Sequence, residues 1–192
     1  MSYLSRQQLL TLGLRSLGDN VLISDKASVY NPANISIGSH VRIDDFCVLS
    51  AGKGGIIIGS YIHIAVYTLL IGAGRITLSD FTNLSSRVSV YSSSDDYSGE
   101  SMTSPMIPDS YKQVIDDDVY FGRHVIVGSG SVILPGSILE EGVAIGALSL
   151  VKSSCSAFGV YGGNPASRIK ERSRKLLQVE HDFARDKNID LS

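Results

Sequence analysis

An aliphatic or aromatic residue returns every six positions through much of this chain, a beat that no ordinary secondary structure keeps. From Phe121 the series runs Val127, Ile133, Leu139, Ile145 and Val151, spelled FGRHVI, VGSGSV, ILPGSI, LEEGVA and IGALSL. The same step occurs earlier in three sets: Ile37, Ile43, Leu49; Ile58, Ile64, Leu70; and Leu78, Leu84, Val90. Short surpluses, AGKGGI and GAGRI, separate the sets. A helix repeats near 3.6 residues and a half-buried strand near 2. A step of six predicts instead a coil of three short faces, one hexapeptide to each. Every large aliphatic side chain then points into a narrow triangular interior, with a small residue following at the corner. Successive coils stack, and each supports only its neighbours.

Composition agrees with one β-rich domain. The 192 residues include 19 Gly and no Trp, and 17 Lys+Arg against 19 Asp+Glu argue against charge-driven binding to nucleic acid or membrane. Cys47 and Cys155 have neither disulfide-framework nor metal-ligand spacing, which favours a reducing cytoplasm. MSYLSRQQLL lacks a signal-peptide apolar run, and no stretch approaches a membrane span. Leucine spacing over residues 5–17 predicts a helix, placing an N-terminal helical segment at 1–20, the β-helix at 21–165 and a helical tail at 166–192.

The beat fails once. After Val90 no in-phase aliphatic residue returns until Val119 or Phe121, so residues 92–118 form an excursion with no regular strand pattern. A loop of this length in a compact domain is a functional or disordered element. Its regular flanks, with Tyr97, Met102, Met106, Ile107 and Tyr111, favour function. The segment SDDYSG supplies two adjacent carboxylates, Asp95 and Asp96, which read equally as a capped turn.

With these repeats, and with VYGGNPASRIK following the last coil, the chain from Val21 to Arg172 resembles the hexapeptide-repeat acyltransferase family. The resemblance implies an all-β, left-handed parallel β-helix with helices at both ends and one long excursion loop. The handedness comes from the resemblance alone, since crossovers are normally right-handed. It also implies acetyl-CoA as co-substrate and a homotrimer with active sites shared between subunits. In the galactoside and maltose branch the loop carries a His as general base, and the matching position here is Asp95. That departure tilts the acceptor from a hydroxyl towards an amine, because a neutral amine is already nucleophilic and needs only a proton acceptor. Asp95, Asp96 and His63 are the candidates for that role. His63 falls in one outward column with Arg42 and Asn83, whereas His40 and His124 occupy corner slots and read as structural.

On the donor side the resemblance points to Gly128, Ser129, Ala147, Lys152, Arg168 and Lys170. Glycines admit a ligand close to the backbone, and cations meet the coenzyme phosphates. Asn83, Ser85 and Tyr97 are candidates for the acceptor. Four scattered His, none at ligand spacing, argue against a zinc site. IDDFCVLSAGKGG, YIHIA and SSSDDYSG are most similar to enzymes of surface-polysaccharide assembly, among them acyltransferases of dTDP-4-amino-4,6-dideoxyglucose. The expected reaction is N-acetylation of a nucleotide-linked amino sugar. The alternatives are O-acetylation of the galactoside or maltose type, and a β-helix that binds without catalysing.

Overall fold

The computed structural model describes residues 2–187 and 189, and the six-residue beat is its architecture. Three parallel sheets form the sides of a left-handed β-helix of about seven turns. The first face stacks Ser16–Leu17, Ile35–Ile37, Ile56–Ile58, Ile76–Leu78, Val119–Phe121 and Ile138–Leu139. The second stacks Leu22–Ile23, Val41–Ile43, Ile62–Ile64, Asn83–Leu84, Ile126–Val127, Ala144–Ile145 and Gly159–Gly162. The third stacks Ser28–Tyr30, Val48–Ala51, Leu69–Gly72, Ser89–Tyr91, Val132–Ile133 and Leu150–Val151. Each repeat residue lies directly over its counterpart one coil away, as in the series Ile43, Ile64, Leu84, Val127 and Ile145. These five are between 0 and 4% exposed, so the interior is one continuous aliphatic column.

Corners carry the second regularity. The first-to-second corner places Asn20, His40, Tyr61, Phe81, His124 and Phe158 at φ between 51 and 62°, the left-handed region that most L residues avoid. Ring stacking offsets that cost. His40 lies on Tyr61 at 4.7 Å, Tyr61 on Phe81 at 5.1 Å and Phe81 on His124 at 4.9 Å between centroids. Thus His40 and His124 are structural members of a corner ladder. At Gly142 the ladder needs glycine, because a Cβ there would meet the Phe158 ring at 2.5 Å.

Both termini differ from the helical segments that spacing predicts. Helix α1 is short, Arg6–Thr11, with a capping box between Ser5 and Gln8. It ends before Gly13, whose φ of 78° turns the chain, and Ser16–Leu17 already pairs with Ser36–Ile37. The remaining leucines, Leu12, Leu14 and Leu17, pack on the core without being helical. At the other end, Ser167–Glu171 is a strand antiparallel to Gly159–Gly162, reversed through a turn at residues 163–166, and helix α2 spans Lys175–Lys187. Among the described residues no helix is long and apolar enough to cross a membrane.

Helix α2 folds back onto the corner ladder. Phe183 meets Tyr61 edge-on at 5.5 Å, and Glu180 takes hydrogen bonds from Arg123 and from His124, the latter at 2.6 Å. Burial opposes ionisation of Glu180, but Arg123 and His124 outweigh it and hold the carboxyl below its usual range. A depressed carboxylate stabilises above its unfolded pKa, about 4.3 for Glu, and the contribution is lost as pH falls through the folded value. Glu180→Gln should therefore speed amide exchange across α2 at neutral pH while leaving the coil strands protected. In the solenoid itself, Leu78→Ala should cost about 2–5 kcal/mol in urea unfolding, whereas Thr77→Ala, on the outward side, should cost under about 1 kcal/mol.

Candidate active site

Four of the candidate residues, Ser85, Gly128, Ser129 and Ala147, fall on one edge of the prism, the corner between the second and third faces. Directly after the core residue of each coil this corner holds Ser24, Asp44, Ala65, Ser85, Gly128 and Gly146. Their amides donate in sequence to the core carbonyl of the next coil, from Ser24 to Ile43 at 2.9 Å down to Gly146 to Tyr161 at 2.8 Å. Ser129 and Ala147 occupy the next slot, are exposed, and have amide N–H groups without a hydrogen bond among the described residues. Outward-facing donors in a row suit an extended ligand that carries carbonyl oxygens.

Glycine use on this edge differs from the expectation that Gly128 admits a ligand. A Cβ on Gly128 would stand 2.4 Å from the Ala147 nitrogen, so glycine there permits coil-on-coil packing. Gly146 is the open position, where a Cβ would meet nothing nearer than 3.5 Å. The predicted cations are all exposed: Lys152, Lys170, and Arg168, which pairs with Glu171 at 2.6 Å. Arg168 and Lys170 sit on the closing antiparallel strand, opposite Tyr161 and Val160. Arg172, by contrast, turns inward and donates to the carbonyls of His124 and Gly142 at 2.8 and 2.9 Å, a purely structural use.

On the second face, register confirms one outward column of Arg42, His63, Asn83 and Ile126. Asn83 is exposed and Ser85 partly so, and neither side chain has a hydrogen bond among the described residues. His63 is engaged: its Nε2 lies 2.8 Å from Asp44 Oδ2, while Arg42 Nε donates to Asp44 Oδ1 at 2.7 Å. Asp44 is 3% exposed. Residue spacing missed Asp44, although a signal was present. Every other coil fills its slot with Ser, Ala or Gly, and a lone carboxylate in a column of small residues is conspicuous.

The excursion is a stemmed arm. Ser93–Asp95 pairs antiparallel with Val114–Asp116, where sequence spacing shows no strand. Three-residue strands more than a dozen positions apart leave no periodicity to detect. The two aspartates separate sharply. Asp96 accepts from Ser98 N at 2.8 Å and from Ser101 N and Oγ at 2.9 and 2.8 Å, so its carboxylate organises the loop. These hydrogen bonds, first those from Ser98, hold it well below the usual carboxylate range. Asp95 is exposed, and its carboxylate makes no hydrogen bond or ion pair among the described residues. Tyr97, 93% exposed, has no packing partner on its own arm.

Neither cysteine is poised for chemistry. Cys47 and Cys155 are buried free thiols pushed up to about 11 by desolvation. No group of three His, Cys, Asp or Glu among the described residues is arranged to hold a metal ion.

The arm and the donor edge do not meet within one chain. The arm leaves after the third face, from strand Ser89–Tyr91, and the donor edge precedes that face. The arm joins the coil of Ser85 to the coil of Gly128, and one face of the prism separates it from the donor edge. An Asp96→Ala variant should loosen the arm alone. Amide exchange at Ser98 and Ser101 should rise by at least tenfold, with the coil strands unchanged. Because the Asp96 carboxyl is depressed, arm order in the wild type should persist through mild acid and fade only below the ordinary carboxylate pKa, about 3.9.

No protein-family model matches the chain. It is 57% identical over 183 residues to a dTDP-4-amino-4,6-dideoxy-D-glucose acyltransferase of Escherichia coli, covering 95% of each chain. Among solved structures it superposes on AntD, an N-acyltransferase from Bacillus cereus in complex with dTDP and 3-hydroxybutyryl-CoA. That match has a TM-score of 0.93 and 47% identity, covering 97% of this chain and 98% of that one. A serine-to-cysteine variant of AntD, bound to dTDP-4-amino-4,6-dideoxyglucose and coenzyme A, matches equally well, with a TM-score of 0.93 over 96% and 98% of the two chains. A maltose O-acetyltransferase from Clostridium difficile shares the fold alone, at 20% identity and a TM-score of 0.60 over 88% and 75%.

Proposed function

The chain belongs to the dTDP-4-amino-4,6-dideoxyglucose acyltransferase family of hexapeptide-repeat enzymes, and on that premise we propose that it transfers an acetyl group from acetyl-CoA to the amino group of such a nucleotide-linked sugar. The observation that carries this reading is 57% identity across nearly the whole of both chains, with no large insertion to remodel the site. The arm favours an amine over a hydroxyl acceptor, since the position where a hydroxyl-acylating relative has a His is here the unpaired Asp95.

In the proposed reaction the amine nitrogen attacks the thioester carbonyl, the C–N bond forms and the C–S bond breaks. The thiolate takes up one proton and becomes CoA-SH, while the nitrogen loses one to a protein group. Asp95 holds the incoming ammonium by charge, the ammonium gives one proton to solvent before the neutral amine attacks, and Asp96 keeps the arm in shape to present it. Asn83, Ser85 and Tyr97 contribute polar and aromatic contacts to the sugar. The donor lies along the edge of Gly128, Ser129 and Ala147, where the unpartnered amides of Ser129 and Ala147 offer hydrogen bonds, and Lys152, Arg168 and Lys170 meet its phosphates.

Assembly as a homotrimer follows from the same reading. A free arm at one corner and a donor edge at another make a site when a neighbouring subunit supplies the missing half. Exposed Met106, Tyr97 and Tyr111 on the arm then find a surface to cover. We place the reaction in the cytoplasm, where acyl-CoA is made and where two unpaired thiols persist. The product remains a nucleotide-activated sugar, a glycosyl donor suited to O-antigen or capsule assembly.

A thiol-release assay tests the proposal. Acetyl-CoA with dTDP-4-amino-4,6-dideoxyglucose should release thiol, while dTDP-glucose, maltose and simple galactosides should release little. Transfer to the hydroxyl sugars instead would move the protein to the O-acetylating branch, and coenzyme binding without transfer would make it a binding protein. Replacing acetyl-CoA by 3-hydroxybutyryl-CoA measures the acyl preference. Asp95→Asn should raise KM for the amino sugar by about tenfold or more with KM for acetyl-CoA unchanged. Light scattering should report a trimer.

A further inference from the structure

Asp44 has no place in the reaction as so far described, yet it is a nearly buried carboxylate on the donor edge with both oxygens committed. Oδ1 accepts from Arg42 Nε at 2.7 Å, and Oδ2 lies 2.8 Å from His63 Nε2. The Asp44 side chain is 5% exposed and that of His63 39%. Its slot needs nothing so costly. The equivalent positions one coil away on either side, Ser24 and Ala65, are small, and the aliphatic column continues past them.

An ionised carboxylate is acceptor only, so the ring nitrogen facing Oδ2 must carry hydrogen. His63 is thereby held in the Nε2–H form, and its Nδ1 lone pair is directed away from Asp44 on a half-exposed side chain. The groups around this pair are few. Arg42 stands beside Asp44 on the preceding coil, Tyr3 reaches Arg42 from the N-terminal segment, and Asn83 follows His63 by one coil, about 4.8 Å away. Asp45, next in sequence, is turned away towards Ser24 and Lys26.

We infer that Asp44 is a positioning residue that fixes His63 as the proton acceptor of the acyl transfer, with His63 Nδ1 presented at the head of the donor edge beside Asn83 and Ser85. The inference rests on the acyl-transfer reading and deepens it. It divides the labour between two groups: Asp95 attracts the ammonium, and His63 takes the proton that the nitrogen gives up as the C–N bond forms, directly or through one water. A carboxylate in contact with imidazole orients the ring and stabilises the imidazolium that results.

Asparagine at position 44 is the discriminating change. Its Oδ1 will be claimed by Arg42, leaving Nδ2 to donate to His63 Nε2, and the ring must then carry its hydrogen on Nδ1. Nitrogen-15 correlation spectra of the imidazole in the ligand-free protein should show the Nε2–H tautomer in wild type and the Nδ1–H tautomer in Asp44→Asn. With acetyl-CoA and the dTDP amino sugar, Asp44→Asn should lose at least tenfold in kcat, with KM for acetyl-CoA unchanged. His63→Ala should lose about 10²-fold, lack the acid-side limb of the wild-type pH–rate profile, and regain activity with added imidazole.

A tautomer that switches without change in kcat would overturn the inference, as would a His63→Ala enzyme that keeps the acid-side limb. Melting temperatures of both variants within a few degrees of wild type would exclude misfolding as the cause of a loss. Should wild type release thiol with no amino sugar at all, the acyl-transfer reading itself would fail. The spectra, which need no substrate, would still support or refute the Asp44–His63 geometry on their own.

Discussion

Everything in this molecule depends on the stacking of one coil upon the next at the inter-strand distance, about 4.8 Å, with each residue over its counterpart. Parallel register leaves no freedom to slip by one residue, because a slip would turn the aliphatic column outward on all three faces. The six-residue phase is therefore a boundary condition on each coil separately. Bulky rings can occupy left-handed corner positions because the coils above and below present rings at stacking distance, as in the run from His40 through Tyr61 and Phe81 to His124. One ring alone in that backbone conformation would be strained; four in a column support one another.

The same stacking converts sequence position into location along an edge. A residue type placed in one slot of the repeat appears on one line of the surface, at a height set by its coil. Asp44, Ser85, Gly128 and Gly146 are a single line, and His63 and Asn83 another beside it. Polar chemistry collects where the small residues of that line give way to a carboxylate at Asp44 and, two coils on, to a hydroxyl at Ser85. The arm enters between the coil of Ser85 and the coil of Gly128, so the break in the beat coincides with the change in character along the edge.

Much of this was legible in the residues. The period of six alone predicts the three-sided coil, its interior residues and the outward column of Arg42, His63 and Asn83, because those follow from phase. What stayed hidden depends on contacts that phase does not encode. The pairing of Ser93–Asp95 with Val114–Asp116 joins distant segments too short to show alternation. The different fates of Asp95 and Asp96 are set by two serines that fold back onto one of them. Gly128 reads as an opening until its neighbour on the next coil is seen to fill the space. At the N-terminus, leucines near helical spacing belong to a brief helix and then to the coil itself, because Gly13 intervenes.

Antiparallel segments finish the stack at both extremities. Ser167–Glu171 runs against Gly159–Gly162, and Tyr3 bridges in the antiparallel sense to Ser24 while α1 buries Leu9 over the first coil. A solenoid of parallel rungs otherwise presents each end as a template for another molecule, the geometry from which fibrils grow. Reversing the chain direction on the last rung offers an incoming copy the wrong pattern of donors and acceptors. On the second face, the chain thus carries a long β core without leaving a parallel rung open at either end.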